Sequence, residues 1–306
     1  MTLVWVPWEQ VRDGIGEIPG LKLEVHDPQG DPPPWADEVE VYVPPFLASG
    51  RPVELIRELP RLQLVQLLTA GADTIIPHVP EGVTLCTARG AHDAGTAEWA
   101  VTAMLAAQRE IPRFVHAQKD KRWDFAFTGA LADKTVLIVG YGSIGSAIER
   151  RLAGFEVEVV RVARSAREGE PKVHGLDELP ALLPQADVVV LIVPLTPETR
   201  GMVNAEFLAQ MKPGALLVNA ARGPVADTDA LVAALTEGRI RAALDVTDPE
   251  PLPPEHPLWD APGLLLTPHI AGSTQASIDR VFATVRRQLE RFSAGEPLEG
   301  VVKGEY

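Results

Sequence analysis

The segment from Lys134 to Leu152 constrains the fold more than any other part of the chain. It contains a short apolar strand, the pattern Gly-x-Gly-x-x-Gly at Gly140–Gly145, and a predicted helix that opens at Ser146. A second apolar strand is predicted at Val157–Val162, which completes a βαβ unit. In such a unit the first glycine permits a tight turn, the second lets the backbone approach a diphosphate, and the third lets helix and strand pack closely. No Lys-Ser or Lys-Thr follows the glycines, so the pattern predicts a dinucleotide site rather than a P-loop.

The end of the second strand predicts which dinucleotide binds. An acidic residue there holds the ribose 2′-hydroxyl of NAD, but the corresponding position is Ala163. Arg164 and Ser165 follow, and they are able to hold a 2′-phosphate through charge-assisted hydrogen bonds. The alternative is that the arginines of this segment belong to a solvated loop. We expect NADP(H) to be preferred, with NAD(H) possible, and Gly142–Ile144 to contact the diphosphate.

Composition limits the classes of partner. A chain of 306 residues is long enough for two domains. A net charge of −14 argues against nucleic acid or an anionic membrane as the main partner. The single cysteine, Cys86, excludes an internal disulfide and a cysteine metal cluster, and His78, His92 and His116 have no coherent partner set, so no metal is expected. The amino terminus lacks a signal-peptide pattern and the apolar runs are too short to span a bilayer, so we expect a cytoplasmic protein.

The order of elements predicts an α/β protein. Short apolar strands and turn-rich stretches alternate in the first ninety residues, which indicates a small α/β domain. A long helix begins near Asp93, and strands then alternate with helices, as in a doubly wound parallel sheet. The final helix, Thr274–Ala294, has one apolar face and is able to return to the first domain, which would make that domain discontinuous. The predicted strands are Leu3–Trp5, Lys22–Val25, Val39–Val43, Leu64–Gln66, Val83–Cys86, Asp187–Val193, Ala215–Asn219, Ala242–Val246 and Leu264–Thr267, and helices are predicted at Leu176–Leu183, Ala205–Met211 and Thr228–Glu237.

Three polar residues follow successive strands of the second half. Arg222, Glu250 and His269 each come shortly after an apolar strand, and doubly wound sheets place their ligands at that edge. Singly, each has an ordinary explanation: a loop cation, a turn residue between prolines, and a histidine at a strand end. Together, on a dinucleotide-binding fold and in this order, they predict one active site.

The chain resembles the D-isomer-specific 2-hydroxyacid dehydrogenases, which include glyoxylate/hydroxypyruvate reductases, over essentially its whole length. The motifs behind this resemblance are Leu68–Asp73, Gly140–Gly145, Val193–Gly201, Asn219–Gly223, Asp245 with Glu250-Pro251-Leu252, and Pro268–Gly272. The resemblance implies two Rossmann-like α/β domains with doubly wound parallel sheets. Residues 1–99 and 275–306 would form a discontinuous substrate domain, and residues 100–274 the NAD(P)-binding domain. It also implies an active site in the cleft and a homodimer.

The reaction that the resemblance implies requires an arginine, a glutamate and a histidine. Reduction of a 2-oxo acid delivers a hydride to the carbonyl carbon and a proton to its oxygen. His269 would supply that proton, and Glu250 would fix its tautomer and favour its charged form. Arg222 would hold the substrate carboxylate and polarise the ketone. Backbone N–H groups of Ala70, Gly71 and Ala72 would bind the carboxylate as well, by resemblance to the matching loop.

The resemblance also implies further cofactor contacts. Asp245 matches a residue that holds the nicotinamide carboxamide, and Thr96 a position near the diphosphate, although Thr96 is equally suited to a buried helix position. Arg222 and His269 would also border the cofactor. The remaining implied contacts are Tyr141, Gly142, Ser143, Ile144, Arg164, Ser165, Pro194, Leu195, Thr199, Ala220, Ala221 and Gly272.

Other interpretations stay open at this point. A cofactor-sensing corepressor or other binding protein on the same fold can retain the Arg/Glu/His set. A phosphoglycerate dehydrogenase-like enzyme is a second alternative, whereas formate oxidation is disfavoured because similar formate dehydrogenases pair their histidine with glutamine. Trp123 is expected to pack, for example between subunits, rather than to cap a substrate pocket. Pro224 and Thr247 depart from the family, whose members often have glycine and an aromatic residue there.

Overall fold

A computed structural model describes residues 1–302. The chain forms two compact units: one comprises residues 1–92 and the segment from Thr274 onward, and the other comprises Asp93–Ser273. The sequence prediction drew the boundaries at 99/100 and 274/275. The first of these falls inside a helix in the structure, and that helix packs as a whole on another helix of the second unit.

The first unit is built on a five-stranded parallel sheet. Its strands are β1 (Thr2–Val6), β2 (Leu21–Val25), β3 (Val39–Tyr42), β4 (Leu64–Gln66) and β5 (Thr84–Cys86), in the order β2-β1-β3-β4-β5. Its first two helices are α1 (Glu9–Ile15) and α2 (Arg51–Glu54). Except for the edge strand β2, which contains Lys22 and Glu24, the strands are mostly apolar and largely buried, as expected for a parallel sheet covered on two sides.

The last helix of the chain, α9 (Gln275–Ala294), belongs to this first unit. Its buried stripe contains Val281, Phe282, Val285 and Leu289, and it packs on α1. The Arg286 guanidinium donates to the carbonyl oxygen of Ile15 at 2.7 Å. The predicted discontinuity of this domain is therefore confirmed.

The second unit is built on a six-stranded parallel sheet in the order β11-β10-β9-β8-β6-β7. The sheet grows outward from β6 in both directions, so its order reverses between β6 and β8, where doubly wound folds bind ligands. The strands are β6 (Thr135–Val139), β7 (Glu158–Val162), β8 (Val188–Leu191), β9 (Leu216–Asn219), β10 (Arg241–Leu244) and β11 (Leu264–Leu266). The helices are α3 (Asp93–Gln108), α4 (Ile111–Lys119), α5 (Ser143–Leu152), α6 (Leu179–Leu182), α7 (Ala205–Gln210) and α8 (Thr228–Thr236).

Two predicted helices differ from the structure. The helix after the glycine-rich turn was predicted to open at Ser146, but α5 begins at Ser143, because Gly142 is the extended residue that precedes the first turn. The helix predicted at Leu176–Leu183 is a 3-10 turn, the short α6 and a second 3-10 turn. Pro180 and Pro184 account for this break, since proline removes a backbone donor and disfavours helix in the residue before it.

Within residues 1–302, no helix is both long and apolar enough to cross a membrane.

Candidate active site

The glycine-rich turn has the geometry that a dinucleotide diphosphate requires. Gly140 has a φ of +110°, and a Cβ there would lie 2.4 Å from the carbonyl oxygen of Ile192 on the loop after β8. A Cβ on Gly145 would lie 2.7 Å from the carbonyl oxygen of Gly140. Gly142 is exposed, and a Cβ there would meet nothing within 4 Å. Gly140 and Gly145 thus permit close contacts within the turn, whereas Gly142 leaves its outer face unobstructed. This arrangement fits a diphosphate at the start of α5.

β7 and the segment after it bring several arginines to this turn. Arg167 donates from Nη2 to the carbonyl oxygen of Tyr141 at 2.6 Å, and its guanidinium lies 5.7 Å from the centroid of the Tyr141 ring. Arg161 lies 5.8 Å from the same centroid and forms an ion pair with Glu149, which also accepts a hydrogen bond from the Tyr141 hydroxyl. Sequence reasoning gave Arg167 no role of its own. The sequence indicated Arg167 only by its position three residues after Arg164.

The predicted 2′-phosphate residues, Arg164 and Ser165, are exposed beyond the end of β7. The pKa of Glu198 is lowered, chiefly by a hydrogen bond from the Thr196 hydroxyl and in part by the charge of Arg164. Arg164 therefore lies within electrostatic range of the loop that follows β8. This loop contains Pro194, Leu195 and Thr199, the residues expected near the adenosine and its ribose.

Thr199 makes hydrogen bonds within the loop after β8. It is buried, its hydroxyl donates to the carbonyl oxygen of Pro194 at 2.6 Å, and its hydroxyl oxygen accepts from the Thr196 amide at 2.8 Å. Thr199 therefore fixes the shape of the loop. Pro194 and Leu195 are partly exposed and remain available to line a ligand.

The loop after β9 is shaped around Arg222. The Asn219 side chain, at the end of β9, accepts from the Ala221 amide at 2.9 Å and donates to the carbonyl oxygen of Arg222 at 3.1 Å. A Cβ on Gly223 would lie 1.9 Å from the carbonyl oxygen of Thr247, so only glycine fits where this loop meets the one after β10. Arg222 is partly buried and donates from Nη1 to the carbonyl oxygen of Ala221 at 2.7 Å. Asn219 was part of the sequence motif, but its orienting function became clear only from the fold.

Glu250 and His269 are in direct contact. The distance between Glu250 Oε1 and His269 Nδ1 is 2.5 Å. Since an ionised carboxylate only accepts hydrogen bonds, Nδ1 carries the proton and Nε2 is left as the nitrogen that can exchange a proton with a ligand. The side chains are 23% exposed for His269 and 38% exposed for Glu250, so the pair can be reached from outside this unit.

The charge state of Glu250 follows from its neighbours. Partial burial alone would raise its pKa, but the hydrogen bond and charge of His269, the Thr247 amide and the charge of Arg222 together lower the pKa below its usual range. Glu250 is therefore a carboxylate at neutral pH. The other two predicted catalytic residues, Arg222 and His269, therefore both lie within electrostatic range of Glu250.

Asp245, at the end of β10, supports the segment that contains His269. It is buried, and its carboxylate accepts from the Thr267 hydroxyl at 2.6 Å, the Ile270 amide at 2.9 Å and the Ala271 amide at 2.7 Å. The Asp245 carbonyl oxygen accepts from the His269 amide at 2.7 Å. His269 itself has a φ of +53°, a conformation that costs a residue with a Cβ about 1–3 kcal/mol.

The other residues predicted to contact substrate or cofactor are distributed over both units. Ala70, Gly71 and Ala72 belong to the first unit, in the loop after β4, where the Thr69 hydroxyl donates to the carbonyl oxygen of Gly71 at 2.8 Å. Thr96 is buried in α3, as its alternative interpretation proposed. Ser143 is exposed at the start of α5, and its hydroxyl donates to Asp93 at 3.2 Å. Ala220 and Gly272 are partly exposed in the loops around Arg222 and His269. In the described part of the chain, no three His, Cys, Asp or Glu side chains are grouped so as to hold a metal ion.

Comparison with known proteins supports the same interpretation. The family described as D-isomer specific 2-hydroxyacid dehydrogenase, NAD binding domain, matches residues 101–271. The glyoxylate reductase of Thermofilum pendens is 38% identical over 267 residues, which make up 82% of this chain and 78% of that protein.

Solved structures show the same fold over nearly the whole chain. A D-isomer specific 2-hydroxyacid dehydrogenase from Xanthobacter autotrophicus, in complex with NADPH and MES, is 32% identical with a TM-score of 0.81, covering 99% of this chain and 98% of that one. An NADPH-dependent glyoxylate/hydroxypyruvate reductase from Sinorhizobium meliloti, in complex with NADP and sulfate, is 28% identical with a TM-score of 0.85, again covering 99% and 98%.

Proposed function

The chain belongs to the D-isomer-specific 2-hydroxyacid dehydrogenases, NAD(P)-dependent oxidoreductases of the CH–OH group, and we propose that it uses NADPH to reduce a small 2-oxo acid such as glyoxylate or hydroxypyruvate to the D-2-hydroxy acid. The same site would catalyse the reverse oxidation. The observation that supports this most directly is the Glu250–His269 pair, 2.5 Å apart, within electrostatic range of Arg222.

In this proposal each of the three side chains has a separate task. His269, protonated at Nε2, gives its proton to the carbonyl oxygen of the substrate, while Glu250 holds Nδ1–H and stabilises the imidazolium. Arg222 binds the substrate carboxylate and draws electron density toward the ketone oxygen. A bound reduced nicotinamide supplies the hydride, and its diphosphate would lie on Gly142, Ser143 and Ile144.

The preference for NADPH is supported by charge. Ala163, rather than an acid, follows β7, and Arg164 and Ser165 are exposed directly after it. Arg167, placed on Tyr141, adds a further positive charge beside the glycine-rich turn. The relatives from Xanthobacter autotrophicus and Sinorhizobium meliloti were solved with NADPH and NADP respectively. NADH is expected to be used less well.

The proposal is tested by steady-state kinetics with NADPH and NADH against a panel of 2-oxo acids, including glyoxylate, hydroxypyruvate and a phosphorylated 3-carbon acid. We expect turnover of the small acids with NADPH. His269→Ala should lower kcat about a hundredfold to ten-thousandfold, the usual contribution of a general acid, while NADPH still binds. His256→Ala, in the same unit, is the matched control and should leave kcat unchanged.

Other outcomes would overturn the proposal. If the wild-type protein binds NADPH but oxidises it with none of the acids, a cofactor-sensing binding protein becomes the better interpretation. A preference for the phosphorylated acid would instead indicate a phosphoglycerate dehydrogenase-like enzyme. An active His269→Ala variant would remove the histidine from the mechanism.

We also propose that the protein is a homodimer whose subunits meet through residues 120–127 and α4. Trp123 is 96% exposed, Phe125 77% and Phe127 94%, so the described residues leave most of these side chains uncovered, although the Phe125 and Phe127 rings contact each other edge-on. The segment is nevertheless held in place, because Arg113 on α4 donates to both carboxylate oxygens of Asp124 at 2.9 Å. A fixed and exposed aromatic surface of this kind is typical of a protein interface.

A further inference from the structure

The buried side chain of Asp245 holds the segment that contains His269. Three donors converge on the Asp245 carboxylate: the Thr267 hydroxyl and the Ile270 amide on Oδ1, and the Ala271 amide on Oδ2. These donors lie on both sides of His269 in the sequence. The carboxylate therefore fixes the backbone immediately before and after the histidine.

The histidine needs this support because its own backbone is strained. His269 has a φ of +53°, and its amide donates to the Asp245 carbonyl oxygen at 2.7 Å. A non-glycine residue keeps a positive φ only where surrounding contacts hold its backbone in that conformation. Asp245 accepts four hydrogen bonds from this segment, three through its side chain and one through its backbone, and the His269 amide also donates to the Thr267 carbonyl oxygen at 3.1 Å.

We infer that Asp245 is a positioning residue for proton transfer: by holding residues 267–271 it keeps His269 Nδ1 on Glu250 and Nε2 turned toward the substrate before any ligand binds. This inference rests on the proposed function of His269. It goes beyond the expected contact of Asp245 with the nicotinamide carboxamide, because it acts on the protein in the absence of cofactor. A misplacement of about 1 Å at a reacting group can cost about a hundredfold in rate.

The test uses Asp245→Asn in the full-length protein. Asparagine has the same shape but only one acceptor oxygen, so its amide group must face at least one of the three donors. Amide hydrogen exchange of Ile270 and Ala271, measured without cofactor, should become at least about tenfold faster. Single-turnover reduction of glyoxylate with NADPH should slow by about tenfold to a hundredfold, with the NADPH dissociation constant changing less than the rate.

Two further variants separate positioning from general stability. Thr267→Val removes one of the three donors and keeps the shape, so the rate should fall less than in Asp245→Asn. Asp187→Asn removes a comparable carboxylate, 14% exposed, which accepts from the Thr135 amide at 3.1 Å at the opposite edge of the same sheet. It should lower the melting temperature and leave the rate per folded molecule unchanged.

Two results would overturn the inference. In one, Asp245→Asn weakens NADPH binding but leaves the exchange of Ile270 and Ala271 as in the wild type, so that Asp245 acts on the cofactor alone. In the other, exchange rises without a loss of rate. If Asp245→Asn does not fold, an unchanged rate and exchange in Thr267→Val decide against the inference. Absence of turnover in the wild-type protein would count against the proposed function, while the exchange measurement would still report on the loop.

Discussion

At the scale of single residues, the structure shows which groups contact the side chains that the sequence predicted to be functional. Arg222, Glu250 and His269 were identifiable because each follows an apolar strand of a parallel sheet. Asn219, Asp245 and Thr267, which orient them, could not be assigned these roles from the sequence. Their partners are backbone groups whose positions depend on how each loop turns. Thr199 shows the converse case, in which a residue predicted to line a ligand uses its hydroxyl within its own loop.

The contact between Glu250 and His269 predicts the effect of removing the carboxylate. Glu250→Gln keeps an acceptor for His269 Nδ1 but removes the negative charge beside the ring, so kcat for reduction should fall by about tenfold to a hundredfold. The measurement is kcat with NADPH and glyoxylate at neutral pH. Glu255→Gln, an exposed neighbour, is the control, and an unchanged kcat in Glu250→Gln would contradict the prediction.

The lowered pKa of Glu250 has a consequence for stability. Because the pKa of Glu250 is lower in the folded protein, its contribution to stability is fully present above the ordinary value of 4.5 and is lost as the pH falls through the folded-state pKa. The difference in melting temperature between the wild type and Glu250→Gln should therefore shrink in acid.

Arg164 predicts the choice of coenzyme. A charge-assisted hydrogen bond to the 2′-phosphate is worth about 1.5–3 kcal/mol, so Arg164→Ala should raise the KM for NADPH by about tenfold to a hundredfold and hardly change the KM for NADH. Arg150→Ala, on the exposed side of α5, serves as the control. Equal effects on the two coenzymes would show that Arg164 does not contact the phosphate.

At the scale of elements, the pattern of apolar residues located every strand of both sheets to within a few residues. Ends were less predictable, because the first turn of α5 uses Ser143 and Ile144, which belong to the glycine-rich pattern as well. The segment around α6 could not be predicted as three short pieces from its apolar spacing alone. Close approaches between loops, such as Gly223 against Thr247, leave no periodic signal in the sequence.

The glycine-rich turn allows a matched pair of substitutions. Gly145→Ala would place a Cβ 2.7 Å from the Gly140 carbonyl oxygen, so it should destabilise the protein, by about 1–3 kcal/mol or about 2–4 °C in Tm per kcal/mol. Gly142→Ala meets no atom within 4 Å, so its Tm should match that of the wild type. Its Cβ would instead occupy the space of the diphosphate, and its NADPH dissociation constant should rise. Thermal unfolding and fluorescence titration measure the two effects, and the reverse pattern would contradict the prediction.

At the scale of the whole molecule, the alternation of strands and helices and the apolar stripe of α9 were enough to predict two α/β units with one of them discontinuous. The exposed aromatic segment was not predictable in the same way. Trp123, Phe125 and Phe127 alternate with Asp124 and Ala126, a spacing that a buried strand also has, and only the fold shows that the three aromatic side chains are exposed.

This surface predicts the assembly state. Trp123→Ser combined with Phe127→Ser should convert the dimer to monomers, because it removes two large apolar contacts from the proposed interface. Sedimentation velocity at micromolar concentration measures the change. Trp8→Ser, a tryptophan that is 42% exposed in the first unit, is the control and should remain dimeric. A wild-type protein that sediments as a monomer would refute the interface.

The contact between Gly223 and Thr247 has a consequence for redesigning substrate preference. The loop that presents Arg222 and the loop that leads to Glu250 touch through their main chains, with no room for even a methyl group. A mutant library that randomises one loop while keeping the other fixed would lose most members to misfolding. Libraries that vary both segments together, with glycine retained at 223, should recover far more active enzymes.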